Sequence, residues 1–247
     1  MLIGLFLVEL AAGLYLFLPL VGRRNAGVKF YRLILLISGA LTGGAATAQR
    51  MAGRDDIATF GIVALALTIL VWFRLGQPKR FLYRAGAVLL GATYVAYVVV
   101  AYDAAIRPPS VLWSIAGALA ATALLGSVSM AMTLGHWYLV VRGMPIDPLK
   151  RVTIATLVAV LVRLTLVVVA IAAGGVFHEV AVRQGIFFWM RAGWGLAGPL
   201  ALFPMVWGTV RIRSTMAATG ILYVDVVAVV IGEVLGGWLS AIVHLPV

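Results

Sequence analysis

Long apolar runs broken only by short polar stretches follow one another along the whole chain, at about residues 1–21, 33–49, 57–73, 85–102, 111–140, 152–174, 185–209 and 215–243. Each is close to or above the roughly 17–20 residues a helix needs to cross a hydrocarbon core. None alternates with the period of two that a membrane barrel requires. Backbone amides without water must therefore pair inside helices. The pattern predicts an all-α, polytopic transmembrane helix bundle of about eight helices, with residues 1–247 as a single integral-membrane domain. The run at 111–140 exceeds one crossing and predicts a tilted helix or an end lying in the interface. The first run carries Glu9 in its middle and lacks a basic leading segment, so it reads as a retained helix rather than a cleaved signal.

The polar gaps orient the bundle. Arg23, Arg24, Lys29, Arg32, Arg74, Lys79, Arg80, Arg84, Arg142, Lys150, Arg151, Arg211 and Arg213 fall in one alternate set of gaps, against Arg50, Arg54, Arg107 and Arg183 in the other. Basic loops are retained in the cytoplasm, which predicts both termini on the outer, periplasmic side of a plasma membrane, here a bacterial inner membrane.

Composition removes several function classes. With 64% hydrophobic and 11% charged residues and a mean hydropathy of +1.11, the eight spans leave no room for a soluble catalytic domain. A net charge of +11 would suggest nucleic acid for a soluble chain; here the basic residues are topology signals, and membrane lipid rather than nucleic acid is the expected surrounding. Cysteine is absent, so this chain holds no disulfide, thiolate metal site or iron–sulfur cluster. A bis-histidine haem needs two embedded histidines at matched depth. Only His136 is embedded, His178 and His244 lie near the outer surface, and Met130 or Met132 on the His136 helix is poorly placed as a second ligand. No haem, cluster or metal held by this chain alone is expected. No phosphate-binding loop, dinucleotide fingerprint, zinc-protease motif or catalytic triad is present.

Six ionisable residues lie inside apolar runs, where a charge costs roughly 2.5–3.5 kcal/mol at the bilayer centre: Glu9, His136, Arg163, Arg191, Asp225 and Glu233. Counted from the run boundaries at about 1.5 Å per residue, Arg163 and Asp225 share a level and predict a buried ion pair, as a packing device or in ion movement. Glu9 and Glu233 share another level nearer the outside, with only Arg191 beyond them. At least one of these two carboxyls is expected to be protonated through burial and like charge. Eight residues separate Asp225 from Glu233, which places them on roughly one face of the last helix. Helices one, six, seven and eight are thereby predicted to enclose a polar interior reaching from mid-membrane to the outer surface. His136, in Leu134-Gly135-His136-Trp137-Tyr138, reads either as a quinone hydrogen-bond donor or as an interfacial histidine in an aromatic belt.

Backbone features add detail. Gly39 with Gly43, and Gly232 with Gly236, are small-residue pairs at the spacing that lets helices approach closely. Pro199 and Pro204, with Gly193, Gly195 and Gly198, mark the seventh helix as the irregular one. Trp189 and Trp194 near its outer end suit an interfacial belt. Ser214 or Thr215 is the expected N-cap of the last helix. No internal repeat is visible, which weakens a transporter built from inverted repeats.

These features favour a membrane-integral subunit of a quinone-linked respiratory or electron-transfer complex. Glu9, Asp225, Glu233 and Arg163 would form a proton-exchanging charge cluster, His136 and Arg191 would contact a quinone or quinol, and electrons would come from other redox subunits. The general form is loosely similar to the membrane anchors of molybdenum-type oxidoreductases. The alternative is a proton-coupled secondary transporter of a small solute. A membrane enzyme acting on a lipid-soluble substrate ranks lower, since the loops lack clustered nucleophiles or metal ligands.

Overall fold

A computed structural model describes residues 1–75, 80–141 and 143–247, with backbone only at Arg80 and Leu82. Eight helices are long and apolar enough to cross a membrane: α1 (Leu2–Val21), α2 (Arg23–Met51), α3 (Asp55–Arg74), α4 (Arg80–Ile106), α5 (Val111–Val140), α6 (Asp147–Gly174), α7 (Ile186–Arg211) and α8 (Thr215–Val243). No strand occurs among the described residues. The chain is an integral membrane protein built as an all-α bundle.

Helices α1 and α5 form the centre. Helix α1 packs on α2, α4, α5, α6 and α8, and α5 on α1, α4, α6 and α8; α3 closes one flank and α7 the other. The central pair is brought together by Gly13 and Gly126: a Cβ on Gly13 would lie 2.5 Å from the Gly126 Cα. Side chains facing away from the core are largely apolar, among them Ile3, Leu36, Phe73, Val88, Leu112, Val158 and Val234. This is the surface that hydrocarbon covers at little cost. Helix α5 has 30 residues, but α6 has 28 and α8 has 29, so its length does not set it apart.

Both chain ends lie at one end of the bundle, called here the terminal end. The basic end is opposite, and gathers Arg23, Arg24, Lys29, Arg32, Arg74, Arg84, Lys150, Arg151, Arg211 and Arg213. Lys79, Arg142 and the Arg80 side chain lie outside the described residues. Two of these cations rest on aromatic faces: Arg23 on Tyr83, 5.7 Å from the ring centroid, and Arg32 on Trp72 at 5.0 Å. At the terminal end Arg50, Arg54 and Arg183 are paired with acids, as in Arg54–Asp56 at 3.1 Å and Arg183–Glu179 at 2.9 Å. Ser214 stands at the N-cap position of α8 without a side-chain capping bond.

Helix α7 is irregular, and so is α2, whose backbone leaves helical geometry at Gly27 (φ 80°, ψ 170°). Residues Arg191–Ala197 wind as a wide π-helical turn before an α-helical stretch from Gly198 to Arg211. Pro199 has no N–H to offer the carbonyl four residues earlier, which favours the wider winding ahead of it. Within that turn Gly195 meets Gly232 of α8 so closely that a Cβ on either would lie within 2.5 Å of the other's Cα. The second small pair behaves differently. Gly39 faces Thr68 and Leu65 of α3, while nothing approaches Gly43.

Candidate functional site

Four buried ionisable side chains from four helices meet in the terminal half of the bundle: Glu9 of α1, Arg163 of α6, Arg191 of α7 and Glu233 of α8. Glu233 is the hub. Arg163 donates to it through Nε (3.2 Å to Oε1) and Nη2 (3.0 Å to Oε2), a two-pronged pair that suits the planar guanidinium. Arg191 Nη2 lies 2.8 Å from Glu233 Oε1, but off the line of a good hydrogen bond, so this second contact is chiefly ionic. Arg163 also donates to the Val247 carbonyl at 3.5 Å, an oxygen that Ser240 Oγ shares at 3.3 Å.

Glycines make the room. The Arg191 guanidinium occupies the space a side chain at Gly236 would fill, since a Cβ there would stand 2.7 Å from its Nε. The Gly195–Gly232 approach just described draws the α7 backbone against α8, so that a large side chain from α7 reaches the α8 carboxylate.

Glu9 completes the group without an ion pair. It is buried, and its Oε1 has no hydrogen-bond partner among the described residues. Tyr102 of α4, also buried, lies within electrostatic range of Glu9, Arg163 and Glu233. Sequence reasoning missed both Tyr102 and Ser240, because an aromatic or a small hydroxyl in an apolar run carries no cost that marks it out.

Beside the charges is a cavity of about 350 Å³ between α1, the start of α7 and α8. Its walls are Leu2, Leu5, Phe6, Phe187, Leu235 and Trp238, with Phe187 and Trp238 in edge contact at 5.0 Å between centroids. Among the described residues, Glu9 and Glu233 are its only ionisable lining residues. Ile3 and Val234 at its rim are exposed on the apolar flank of the bundle. The cavity therefore opens on the apolar flank of the bundle and has two carboxyls in its lining.

Several expectations need correction. Arg163 pairs with Glu233, not Asp225. Helix α6 starts at Asp147, five residues before the apolar run, because Lys150 and Arg151 belong to its first turns. That shifts Arg163 outward by about 7.5 Å relative to the counted depth. Asp147 in the first turn and Pro148 just inside it were the sequence signal for this earlier start. Glu233 is consequently the doubly compensated acid, and Asp225 joins no ion pair among the described residues. Nor do Asp225 and Glu233 share a target. Eight residues turn a helix by about 80° beyond two full turns, enough to aim Asp225 at a separate crevice with α6 and α7.

His136 and Arg191 are likewise apart. His136 is exposed four residues from the basic end of α5, its Nδ1 3.3 Å from the Tyr223 hydroxyl. Arg191 is fully buried in the cluster near the terminal end. His244 is tied by Nδ1 to the Ile106 carbonyl at 2.6 Å, and His178 is exposed in the wide turn before α7. The expected meeting of helices one, six, seven and eight around a polar interior is what the structure shows, with the partners rearranged.

The fold and site define a polytopic membrane protein whose buried Arg163–Glu233–Arg191 group, with Glu9, adjoins a cavity on the apolar flank of the bundle. No family model, curated protein or solved structure matches the chain.

Proposed function

We propose that this chain is the quinone-reactive, membrane-integral subunit of an electron-transfer complex, with the α1–α7–α8 cavity as its quinone site. The observation that carries this reading is a cavity that opens on the apolar flank of the bundle and has two carboxyls in its lining. A water-soluble solute would have to reach such a site through lipid, whereas a quinone is already dissolved there. The cavity volume is within the roughly 300–1,000 Å³ of small-molecule sites, and its make-up of apolar walls with a few convergent polar groups is theirs too.

A bound quinone supplies a two-electron, two-proton couple, its electrons exchanged with redox centres of other subunits, since this chain has no cysteine to hold a cluster. Glu9, which lines the cavity and has one carboxyl oxygen unengaged by protein, is the group that gives or takes a proton at the quinone oxygen. Glu233 is held as an anion by Arg163 and Arg191 and fixes the field in which Glu9 works. Phe187 and Trp238 form the wall against which a flat ring packs. In this reading the basic end is cytoplasmic, both termini and the quinone site lie toward the periplasmic side of a bacterial inner membrane, and Glu9 exchanges protons with that side.

The test joins two variants with extraction of quinone from the complex purified in mild detergent. Gly237 lines the cavity and has open space before it, so Gly237→Leu should fill the cavity and lose the bound quinone while the bundle stays folded. Glu9→Gln should keep the quinone and lower quinol-linked turnover by about 10²–10⁴-fold, the usual worth of a positioned acid–base group. A colourless chain that purifies alone without quinone would overturn the proposal in favour of a proton-coupled carrier of a small solute.

A further inference from the structure

Asp225 plays no part in the cluster above, yet it is the most conspicuous carboxyl outside it. It is 4% exposed, and its Oδ1 has no hydrogen-bond partner among the described residues. It lines a narrow crevice of about 10 Å³ between α6, α7 and α8, together with Thr153, Thr156, Leu200 and Val206. Thr156 is nine residues along α6, Asp225 ten along α8, and Leu200 eleven from the end of α7, all counted from the basic end. At about 1.5 Å per residue these three lie within one helical turn of a common level.

The crevice walls are mostly apolar, and the polar groups they hold are all oxygen. Thr153 Oγ1 donates to the Leu149 carbonyl (2.8 Å) and Thr156 Oγ1 to the Val152 carbonyl (3.0 Å). Each hydroxyl has spent its proton on its own helix and keeps lone pairs for another partner. On α7, Pro204 has no N–H for the Leu200 carbonyl four residues before it, so a backbone oxygen is released where that helix borders the crevice. Carboxylate, hydroxyl and carbonyl oxygens are the ligands of hard cations. One carboxylate balances one positive charge, and a divalent ion would ask for more. The small crevice favours a compact, dehydrated ion. An irregular helix supplying freed carbonyls beside a buried acid is a known way of holding such ions at membrane depth.

We propose that the Asp225 crevice binds a small monovalent cation, sodium, through Asp225, Thr153, Thr156 and the Leu200 carbonyl. The site is independent of the quinone reading: it uses none of the cluster residues and lies eight residues along α8 from Glu233.

Thermal unfolding of the purified full-length chain in detergent tests it, with sodium, potassium or choline chloride at fixed pH and ionic strength, alongside binding of radioactive sodium. Sodium should raise the midpoint by a few degrees over the other two salts and bind at one ion per chain. Asp225→Asn should abolish both effects, and Thr156→Val, which keeps the side-chain shape, should weaken them by about tenfold or more. Equal response to the three salts, or a sodium response retained in Asp225→Asn, would overturn the proposal. If Asp225→Asn does not fold, Thr156→Val decides: an undiminished sodium response in that variant overturns it equally.

Discussion

The two flanks of the bundle solve the burial of polar groups in opposite ways. Between α2, α3 and α4 the polar interior is neutral, and the hydroxyls of Tyr94, Tyr97, Thr42 and Thr68 are engaged, while the buried Ser38 Oγ has no partner among the described residues. Tyr94 meets Thr42 at 2.9 Å and Thr68 at 3.4 Å, Tyr97 donates to Gln49, and both threonines also donate to carbonyls of their own helices. Between α1, α6, α7 and α8 the interior is charged and incompletely satisfied. Glu9 Oε1, Arg163 Nη1 and both the Nε and Nη1 of Arg191 have no hydrogen-bond partner among the described residues. Satisfied neutral groups fasten helices at little risk, whereas charges left with unused hydrogen-bonding capacity beside a cavity are costly as structure and useful as chemistry. This contrast, more than the presence of polar residues in either flank, separates scaffold from site.

The largest effect that would sharpen the contrast is expected at Glu233. Glu233→Gln leaves two arginines buried without their shared anion and should destabilise the chain by about 3–5 kcal/mol, read from unfolding in detergent. The same residue supports a cycle: Arg163→Leu combined with Glu233→Gln should show coupling above about 1 kcal/mol, while Arg163→Leu combined with Asp225→Asn should be additive within about 0.5 kcal/mol. Additivity in the first pair would dissolve the hub. Next in size is Gly232→Ala. Its methyl would strike the Gly195 backbone and should cost about 1–3 kcal/mol as overpacking, with the Arg191–Glu233 contact loosened. The smallest effect belongs to the neutral flank. Tyr94→Phe leaves the Thr42 and Thr68 hydroxyls bonded to their own helices, so a loss of only about 0.5–1 kcal/mol is expected. A loss as large as that of Glu233→Gln would erase the distinction between the flanks.

Much of the fold was readable in advance. The eight apolar runs correspond to the eight helices because hydrocarbon imposes a length and a continuous apolar pattern that any span must satisfy locally. The irregularity of α7 was legible for a related reason: proline lacks an N–H wherever it sits. The boundary of α6 was misplaced, because Lys150 and Arg151 interrupt the apolar run without interrupting the helix and the signal in Asp147 and Pro148 was passed over, and that one misplacement exchanged Asp225 for Glu233 as the partner of Arg163. Gly13 and Gly126 passed unnoticed as well, because a single small residue on each of two helices forms no pattern along the chain.

Sequence alone determined the membrane, the number of crossings and which six ionisable groups lie within them, since each follows from the cost of placing a residue in hydrocarbon one position at a time. Tertiary structure alone decided who pairs with whom. That choice depends on helix rotation and on backbone approach, where 80° of turn separates Asp225 from Glu233 and bare glycines let Arg191 reach across from α7. The turn between two residues follows from their spacing, but the rotation that aims each helix and the backbones that approach it are not properties of any one helix, so they are not written in its own residues.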